Sequence, residues 1–241
     1  MAEVERIQQQ PCFVLHRYPY KNTSSIIDVL SRDHGRLNLV AKAVKQQKSP
    51  LKSVLQSFQP LMLGWVRRSE LGTLTSAEFA DMPLNFAQLK LYAALYINEL
   101  LMRLLVQHDP VPEIFHSYQN TLHILSTNAA IEPALRIFEK ELLQSLGYEI
   151  RLFEEADSHK PIIADKVYQY TPEHGFSAKE NETNNQFSFR GEVLLAFHEN
   201  RLQDKAVLTA AHRITYVSLK RLLGDKPLKS RELLLAYSAI G

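Results

Sequence analysis

The sequence predicts an α+β protein with a β-rich N-terminal segment followed by a helical remainder. Residues 11–80 are rich in branched and aromatic residues between turn-forming clusters, and they lack helical periodicity. Beyond residue 83 the apolar residues recur at helical spacing. A chain of 241 residues with 45% apolar content can bury a sizeable core, as ordinary globular proteins do.

The N-terminal segment divides into five predicted strands. They are Cys12–Tyr18, Ser25–Leu30, Gly35–Val44, Pro60–Val66 and Leu71–Phe79. Five short strands in this length suggest a small closed barrel, and the OB-fold has that strand number. Gly64 and Gly72 are expected at bulges or bends where the barrel closes. In the third strand, alternation places Leu37, Leu39 and Ala41 on one face.

Helical patterns occupy most of the chain after the predicted barrel. The predicted helices are Leu84–Val106, Glu113–Leu125, Glu132–Leu146, Glu192–His198, Asp204–Leu223 and Arg231–Ser238. From Gly147 to Phe189 the helical pattern fails, and short irregular strands and loops are expected. Asn98 and Glu99 lie in the most apolar helix and need polar partners if they are buried. They form either a polar network at a domain junction or a pair that is satisfied or edge-exposed.

Charge is distributed unevenly along the chain, although the formal net charge is only +2. Residues 32–68 carry eight Lys or Arg against Asp33 alone, and residues 201–241 carry eight basic against three acidic residues. Residues 69–200 are strongly acidic. A strand that leads into a basic loop closed by Ser49–Pro50 is suited to holding a polyanion, although such a run is also typical of a solvated face.

Several classes of protein are disfavoured by what the sequence lacks. Cys12 is the only cysteine, so neither a disulfide framework nor a cysteine-based zinc site is expected. The polar start Met1–Gln10 is not typical of a signal peptide, and no apolar run has the length of a membrane helix. Phosphate-loop, Gly-x-Ser-x-Gly and His-Glu-x-x-His motifs are absent. We therefore predict a cytoplasmic protein that is not an enzyme and needs no cofactor or metal.

Five separated motifs resemble, in order and spacing, the RecO family of bacterial DNA repair proteins, most closely its proteobacterial branch. These motifs are Gly35–Lys42 with its basic tail, Tyr96–Leu101, Glu132–Glu139, Leu146–Tyr148 and Lys226–Leu233. The resemblance implies an N-terminal OB-fold, a helical domain and a small irregular insertion. We place them at residues 1–81, 82–241 and 148–190.

The resemblance also implies the role of a recombination mediator. Such proteins bind single- and double-stranded DNA and anneal complementary strands. They also bind the acidic C-terminal tail of single-stranded-DNA-binding protein, and they act with RecR to load RecA. Many relatives carry a four-cysteine zinc knuckle in the insertion, but residues 147–189 contain no cysteine, so no zinc is expected. The family's Ala-Lys-Gly-Ala-Arg loop is replaced by Ala43–Gln47, which implies a stiffer loop with a weaker grip on DNA.

Seven basic residues are predicted to line one DNA-binding face and to neutralise phosphates without reading sequence. They are Arg36, Lys42, Lys45, Lys48, Lys52, Arg67 and Arg68. Tyr18, Phe58 and Trp65 are candidates for stacking on bases, although a place in the barrel core is the stronger expectation for each.

A second anion site is predicted for the acidic peptide tail, which requires an apolar pocket rimmed by cations. Two stretches of the helical domain combine these features and are expected to adjoin. Their residues are Leu135, Arg136, Lys140, Leu142, Lys226, Leu228, Lys229 and Arg231. Arg136 is the expected carboxylate partner because a guanidinium matches two oxygens. The start of the last helix also favours an anion, unless it is merely a basic turn.

Three function classes stay open on the sequence alone. The favoured one is a non-catalytic mediator that binds and anneals DNA. The alternative is an adaptor whose main ligand is an acidic C-terminal peptide, with DNA contact secondary. An enzyme is the weakest of the three, because the sequence shows no cluster of catalytic residues.

Overall fold

The computed structural model describes residues 4–46, 49–179 and 186–238 of the chain. The predicted α+β class is confirmed. Contacts divide the chain into two compact units, Met1–Ala129 with Leu228–Gly241, and Ala130–Pro227. The domain boundary near residue 81 stays a prediction.

The first unit contains a closed five-stranded barrel with the strand order β1-β2-β3-β5-β4. Its strands are β1 (Glu5–Tyr20), β2 (Ser24–Ser31), β3 (Gly35–Ala41), β4 (Leu61–Arg67) and β5 (Leu71–Phe79), with a short helix α1 (Leu51–Val54) between β3 and β4. This strand number and closure are those of an OB-like fold and confirm the predicted barrel.

The barrel closes through a parallel pairing of β3 with β5, in which Leu39 lies opposite Gly72. A Cβ atom on Gly72 would lie 2.6 Å from Cδ2 of Leu39, so a larger residue here would have to displace that buried side chain. The register of β4 against β5 shifts between Gly64 and Trp65. Gly64 therefore lies at a bulge, as predicted, and Gly72 lies where the barrel closes.

The barrel core confirms the predicted alternation of β3. Leu37, Leu39 and Ala41 are fully buried, whereas Arg36, Asn38 and Val40 between them are partly exposed. Trp65 and Phe58 are also buried, at 1% and 6% exposure, so neither side chain is placed to stack on a base. Their role is packing, as expected for large aromatic groups in a small barrel.

Two parts of the barrel segment differ from the prediction. Strand β1 begins at Glu5 rather than at Cys12, and its polar first half pairs with β4. Strand β3 ends at Ala41, after which Ala43 has a positive φ of 56°. Val44 is buried in the barrel core at 2% exposure, so the basic loop is anchored by an apolar side chain near its middle.

Three helices complete the first unit: α2 (Gln88–Leu104), α3 (Pro112–Ser126) and α7 (Lys229–Ser238). Asn98 of α2 is buried at 1% exposure and donates to the carbonyl of Leu15 in β1 at 2.8 Å. The hydroxyl of Tyr118 in α3 donates to Asn98 Oδ1 at 2.5 Å. Asn98 is thus a satisfied polar residue that joins the barrel to two helices, as buried amides require.

The second unit combines helices with a small sheet. Its elements are α4 (Ile131–Ser145), β6 (Val167–Thr171), β7 (Gly175–Ala178), β8 (Ser188–Arg190), α5 (Gly191–His198) and α6 (Lys205–Leu223). The three strands form a sheet of order β7-β6-β8, as expected for the insertion. Asp204 caps α6, because its Oδ1 accepts from the backbone N–H of Ala206 at 2.6 Å. Across the described ranges, we find no helix with the length and apolarity needed to cross a membrane.

Candidate nucleic-acid interface

A cluster of cations lies at the end of the barrel where the β1–β2 turn meets the loop that follows β3. Lys45 donates from Nζ to the carbonyl of Lys21 at 3.0 Å, and its backbone N–H donates to the carbonyl of Thr23 at the same distance. Lys42 and Arg17 are exposed at this end of the strands. We call the residues Arg17, Lys21, Lys42 and Lys45 the barrel-end cluster.

Arg17 and Lys21 were missed by the sequence reasoning. Residues 1–31 carry three basic and three acidic residues, so a count of charge along the chain gives no signal there. Only the folded β1–β2 hairpin brings Lys21 beside the basic loop, where its carbonyl accepts from Lys45. The position of Lys21 in the first interstrand turn is a usable signal, because that loop is a nucleic-acid contact in OB-folds.

An aromatic and apolar strip runs across the strands beside the barrel-end cluster. Tyr18 is 43% exposed and pairs across the strands with Ile26, which in turn pairs with Val40. His16 contacts the Tyr18 ring edge-on, with ring centroids 4.5 Å apart. Of the three stacking candidates, Tyr18 alone presents its ring to solvent, so it is the one that a base can reach.

Arg36 is committed to an internal structural role rather than to the predicted DNA face. Its guanidinium binds the carboxylate of Asp28 through Nε at 3.0 Å and Nη2 at 2.7 Å. Its Nη1 donates to the carbonyl of Met102 at 2.5 Å, which caps the C-terminal end of α2. The Arg36 side chain is only 14% exposed, and we therefore remove it from the proposed set.

Arg67 also has protein partners. It binds Glu5 through Nη2 at 2.6 Å, and its Nη1 lies 2.8 Å from Nδ1 of His108. Burial, and then the charge of Arg67, lower the pKa of His108 below its usual value. Because a protonated ring cannot accept at Nδ1, this contact requires a neutral His108. Arg67 can therefore add to a DNA face only by sharing its charge with Glu5.

Two further predicted cations, Arg68 and Lys52, lie outside the ion pairs of Arg36 and Arg67. Arg68 is exposed after β4, and Lys52 is exposed on α1. Lys48 lies outside the described residues. Of the six predicted cations that the structure describes, Lys42 and Lys45 belong to the barrel-end cluster.

On α4, Arg136 forms a buried ion pair within its own helix. Its Nη2 lies 2.8 Å from Oε1 of Glu139, and the hydroxyl of Thr215 donates to Oε2 of Glu139 at 2.5 Å. The Nε atom of Arg136 is buried without a hydrogen-bond partner, so the guanidinium keeps one unsatisfied donor. Leu135 and Leu142 are buried at 2% and 0% exposure, which leaves neither as an open pocket wall.

Lys140, the next predicted peptide ligand on α4, caps the C-terminal end of α5. Its Nζ donates to the carbonyls of Phe197 and His198 at 3.1 and 3.0 Å, and to Oδ1 of Asn200 at 2.6 Å. Partial burial lowers the pKa of Lys140 below its usual value. These three acceptors satisfy all the donors of the ammonium group, so its role in this conformation is structural.

The start of α7 is occupied by an anion from the protein itself. Glu99 Oε2 accepts from the backbone N–H of Ser230 at 2.9 Å and from its hydroxyl at 2.5 Å, and Oε1 accepts from the N–H of Lys229 at 3.2 Å. The predicted preference of this helix end for an anion is correct in its chemistry, and Glu99 meets it. Leu228 is buried at 7% exposure, Lys229 is exposed, and Lys226 and Arg231 have further partners.

The two predicted halves of the peptide site belong to different compact units. Leu228, Lys229 and Arg231 lie in the first unit, whereas α4 and Lys226 lie in the second. Their juxtaposition stays a prediction. In the part of the chain that the structure describes, no three His, Cys, Asp or Glu side chains are gathered that could hold a metal ion.

Comparison with known proteins agrees with this architecture. A family model described as "Recombination protein O N terminal" matches residues 2–83, and one described as "Recombination protein O C terminal" matches residues 88–232. A protein named DNA repair protein RecO from Haemophilus influenzae is 45% identical over 221 residues, which cover 92% of this chain and 93% of the relative.

Relatives of the same name occur in Vibrio parahaemolyticus and Glaesserella parasuis. The Vibrio protein is 42% identical over 226 residues, which cover 94% of this chain and 92% of the relative. The Glaesserella protein is 42% identical over 227 residues, which cover 94% of both chains. The resemblance read from the five motifs is thus confirmed, and the chain belongs to the RecO family.

Proposed function

We propose that this protein acts in DNA repair as a non-catalytic mediator that binds single- and double-stranded DNA and anneals complementary strands. The observation that carries the proposal is the barrel-end cluster, in which Lys45 is bonded to the β1–β2 turn beside the exposed ring of Tyr18. The names of the relatives, DNA repair protein RecO, support the part of this proposal that concerns DNA repair.

The proposed mode of binding is electrostatic with a stacking contribution. Lysine and arginine side chains at the barrel end neutralise phosphates, which gives affinity without sequence preference. Tyr18 supplies a π-face for an unpaired base, and the neighbouring Ile26 and Val40 extend its apolar surface. A duplex offers phosphates but no unpaired base, so the single strand is the better ligand at this face.

Annealing follows from the screening of repulsion between two strands, and it requires neither nucleotide nor metal in this proposal. Cations that neutralise the phosphates of both strands reduce the barrier to their pairing. Addition of a chelator or omission of ATP is therefore expected to leave the annealing rate unchanged. An annealing rate that falls when a chelator is added, or that requires ATP, would contradict the proposal.

The proposal also includes three partner proteins, and for these it rests on family membership. They are single-stranded-DNA-binding protein, bound through its acidic tail, RecR as a direct partner, and RecA as the protein that is loaded. The setting for these partners is cytoplasmic, at the nucleoid. Each partner is assigned by the family resemblance rather than by a contact in the structure.

An adaptor for an acidic peptide is the second candidate, and one observation favours it. Arg136 keeps a buried Nε donor without a partner, which an incoming carboxylate can satisfy. To reach it, the peptide must displace side chains over Arg136, whose side chain is 10% exposed. Arg136→Ala is expected to lower peptide affinity by roughly 2 kcal/mol while DNA affinity is kept.

The barrel proposal is tested by charge reversal. The variant Lys21→Glu, Lys42→Glu, Lys45→Glu is expected to bind a random single strand at least tenfold more weakly, since three phosphate contacts become repulsive. A matched control is Lys160→Glu, Lys166→Glu, Arg190→Glu, which carries the same charge change on exposed side chains of the second unit. Equal loss in both variants would show a net-charge effect and would contradict a defined site at the barrel end.

A further inference from the structure

One exposed face of α6 combines cations with an aromatic ring pair. Its six residues are all exposed and recur at helical spacing, and we call them the α6 stripe: Lys205, Thr209, His212, Arg213, Tyr216 and Lys220. At 100° per residue they fall within an arc of about 100°. The opposite face of α6 is buried, through residues such as Ile214 and Ser218.

The charge of α6 has a single sign. Between Lys205 and Leu223 the helix contains four Lys or Arg and no acidic residue. A solvated helix face ordinarily interleaves both signs, because pairs at i and i+4 stabilise it. The nearest acid, Asp204, is used as the N-cap, and Arg221 lies off the stripe in an ion pair with Glu173 at 2.5 Å.

An aromatic pair lies at the centre of this cationic face. The rings of His212 and Tyr216 are nearly parallel, with an interplanar angle of 17° and centroids 6.1 Å apart. Tyr216 is 39% exposed, so one turn of the helix offers a flat π-surface to solvent between Arg213 and Lys220. Cations that flank an exposed aromatic platform are the usual means of binding an unpaired nucleic-acid strand.

We propose that the α6 stripe is a second binding site for single-stranded nucleic acid, with Tyr216 stacking on a base while Lys205, Arg213 and Lys220 neutralise phosphates. The inference rests on the proposed function, nucleic-acid binding, and adds a site that the barrel does not supply. A protein that anneals strands needs two places to hold them. The α6 stripe provides the second place within the second compact unit.

The size of the stripe fits a short strand. From Lys205 to Lys220 the helix rises about 22 Å, which is long enough to contact several nucleotides of a single strand. An acidic protein segment would match the charge but would make little use of the exposed ring pair. Nucleic acid therefore fits both features, and an acidic polypeptide becomes an outcome of the test.

The site can be observed directly through a tryptophan reporter. The native Trp65 is buried at 1% exposure and gives a constant background. In the full-length Tyr216→Trp variant, emission is expected to be quenched when a random 15-nucleotide single strand is added. The matched control is Tyr148→Trp, a tyrosine of the same unit that is 46% exposed and lies off α6, and its emission is expected to stay unchanged.

Charge reversal separates this site from the barrel. In a protein that already carries Lys21→Glu, Lys42→Glu and Lys45→Glu, the further changes Lys205→Glu, Arg213→Glu and Lys220→Glu are expected to weaken the residual strand binding at least tenfold. Adding Lys160→Glu, Lys166→Glu and Arg190→Glu instead is expected to have little effect. The neutral variant Lys205→Gln, Arg213→Gln, Lys220→Gln gives an intermediate loss if the reversal variant folds poorly.

The outcomes are distinguishable. Absence of Tyr216→Trp quenching at saturating strand overturns the α6 site but leaves the barrel proposal standing. If Tyr216→Trp emission is quenched and the barrel-end reversal variant binds the strand with unchanged affinity, the α6 site is supported and the barrel proposal is contradicted. Quenching by poly-glutamate as strong as that by the strand would assign the stripe to an acidic polypeptide and would overturn the inference.

Discussion

Replacement of Arg36 by methionine is expected to destabilise the protein strongly and to leave its DNA contacts intact. The change removes the cation that pairs with Asp28, whose side chain is 2% exposed. A buried carboxylate left without its partner costs about 3–5 kcal/mol, far more than an exposed ion pair contributes. The carbonyls of Met102 and Leu105 at the end of α2 lose a donor at the same time.

Urea denaturation followed by circular dichroism measures this loss as a lower midpoint. The matched control is Arg6→Met, an exposed arginine of β1, for which a change within about 0.5 kcal/mol is expected. The double variant Asp28→Asn, Arg36→Met removes the stranded charge and is expected to recover part of the stability. A midpoint no lower than that of Arg6→Met, together with weaker DNA binding by the folded protein, would refute the structural role and restore Arg36 to the DNA face.

Three further predictions concern contacts that the structure reveals. Glu99→Ala removes three acceptor contacts at the start of α7 and is expected to cost about 2 kcal/mol, seen as faster amide exchange in that helix while α3 is unchanged. Lys140→Met is expected to increase exchange at the end of α5 by exposing its carbonyl ends, and an unchanged exchange pattern would contradict the capping role. His108 has a lowered pKa in the folded protein, so the unfolded chain binds its proton first, and stability is expected to fall as pH drops below about 6.5. The His108→Asn variant, whose amide oxygen can still accept from Arg67, is expected to lose that part of the pH dependence, as measured by urea midpoints between pH 5 and 8.

Local sequence patterns predicted the fold well in elements that bury one face, because burial there requires apolar residues at regular spacing. The alternation in β3 and the periodicity of α4 and α6 follow directly from one buried face. The first half of β1 was missed because its residues are polar and partly exposed, so strand pairing with β4 rather than apolar burial holds it extended. The four-residue α1 is too short to produce a period.

The candidate site was less predictable, since charge along a chain does not reveal which charges are already paired. The sequence analysis treated Arg36 and Lys140 as free cations. Arg36 is paired with Asp28, 8 residues away, and Lys140 is bound to the end of α5, about 60 residues away. Sequence chemistry correctly indicated an anion at the start of α7, but the anion is Glu99, 130 residues earlier in the chain. Only the folded hairpin shows that Lys21 belongs with the predicted loop.

The salt dependence of single-strand binding tests the central claim most directly. The affinity of a labelled random single strand is measured from low to moderate salt for the unmodified protein and for Lys21→Ala, Lys42→Ala, Lys45→Ala, with Lys160→Ala, Lys166→Ala, Arg190→Ala as the control. If the barrel-end cluster contacts phosphates, the negative slope of log affinity against log salt should become shallower by about 2 in the barrel variant, since each contact on a single strand contributes about 0.7. The control should keep the original slope. Parallel lines for all three proteins would show that the strand binds elsewhere and would contradict the assignment of the barrel end as the DNA interface.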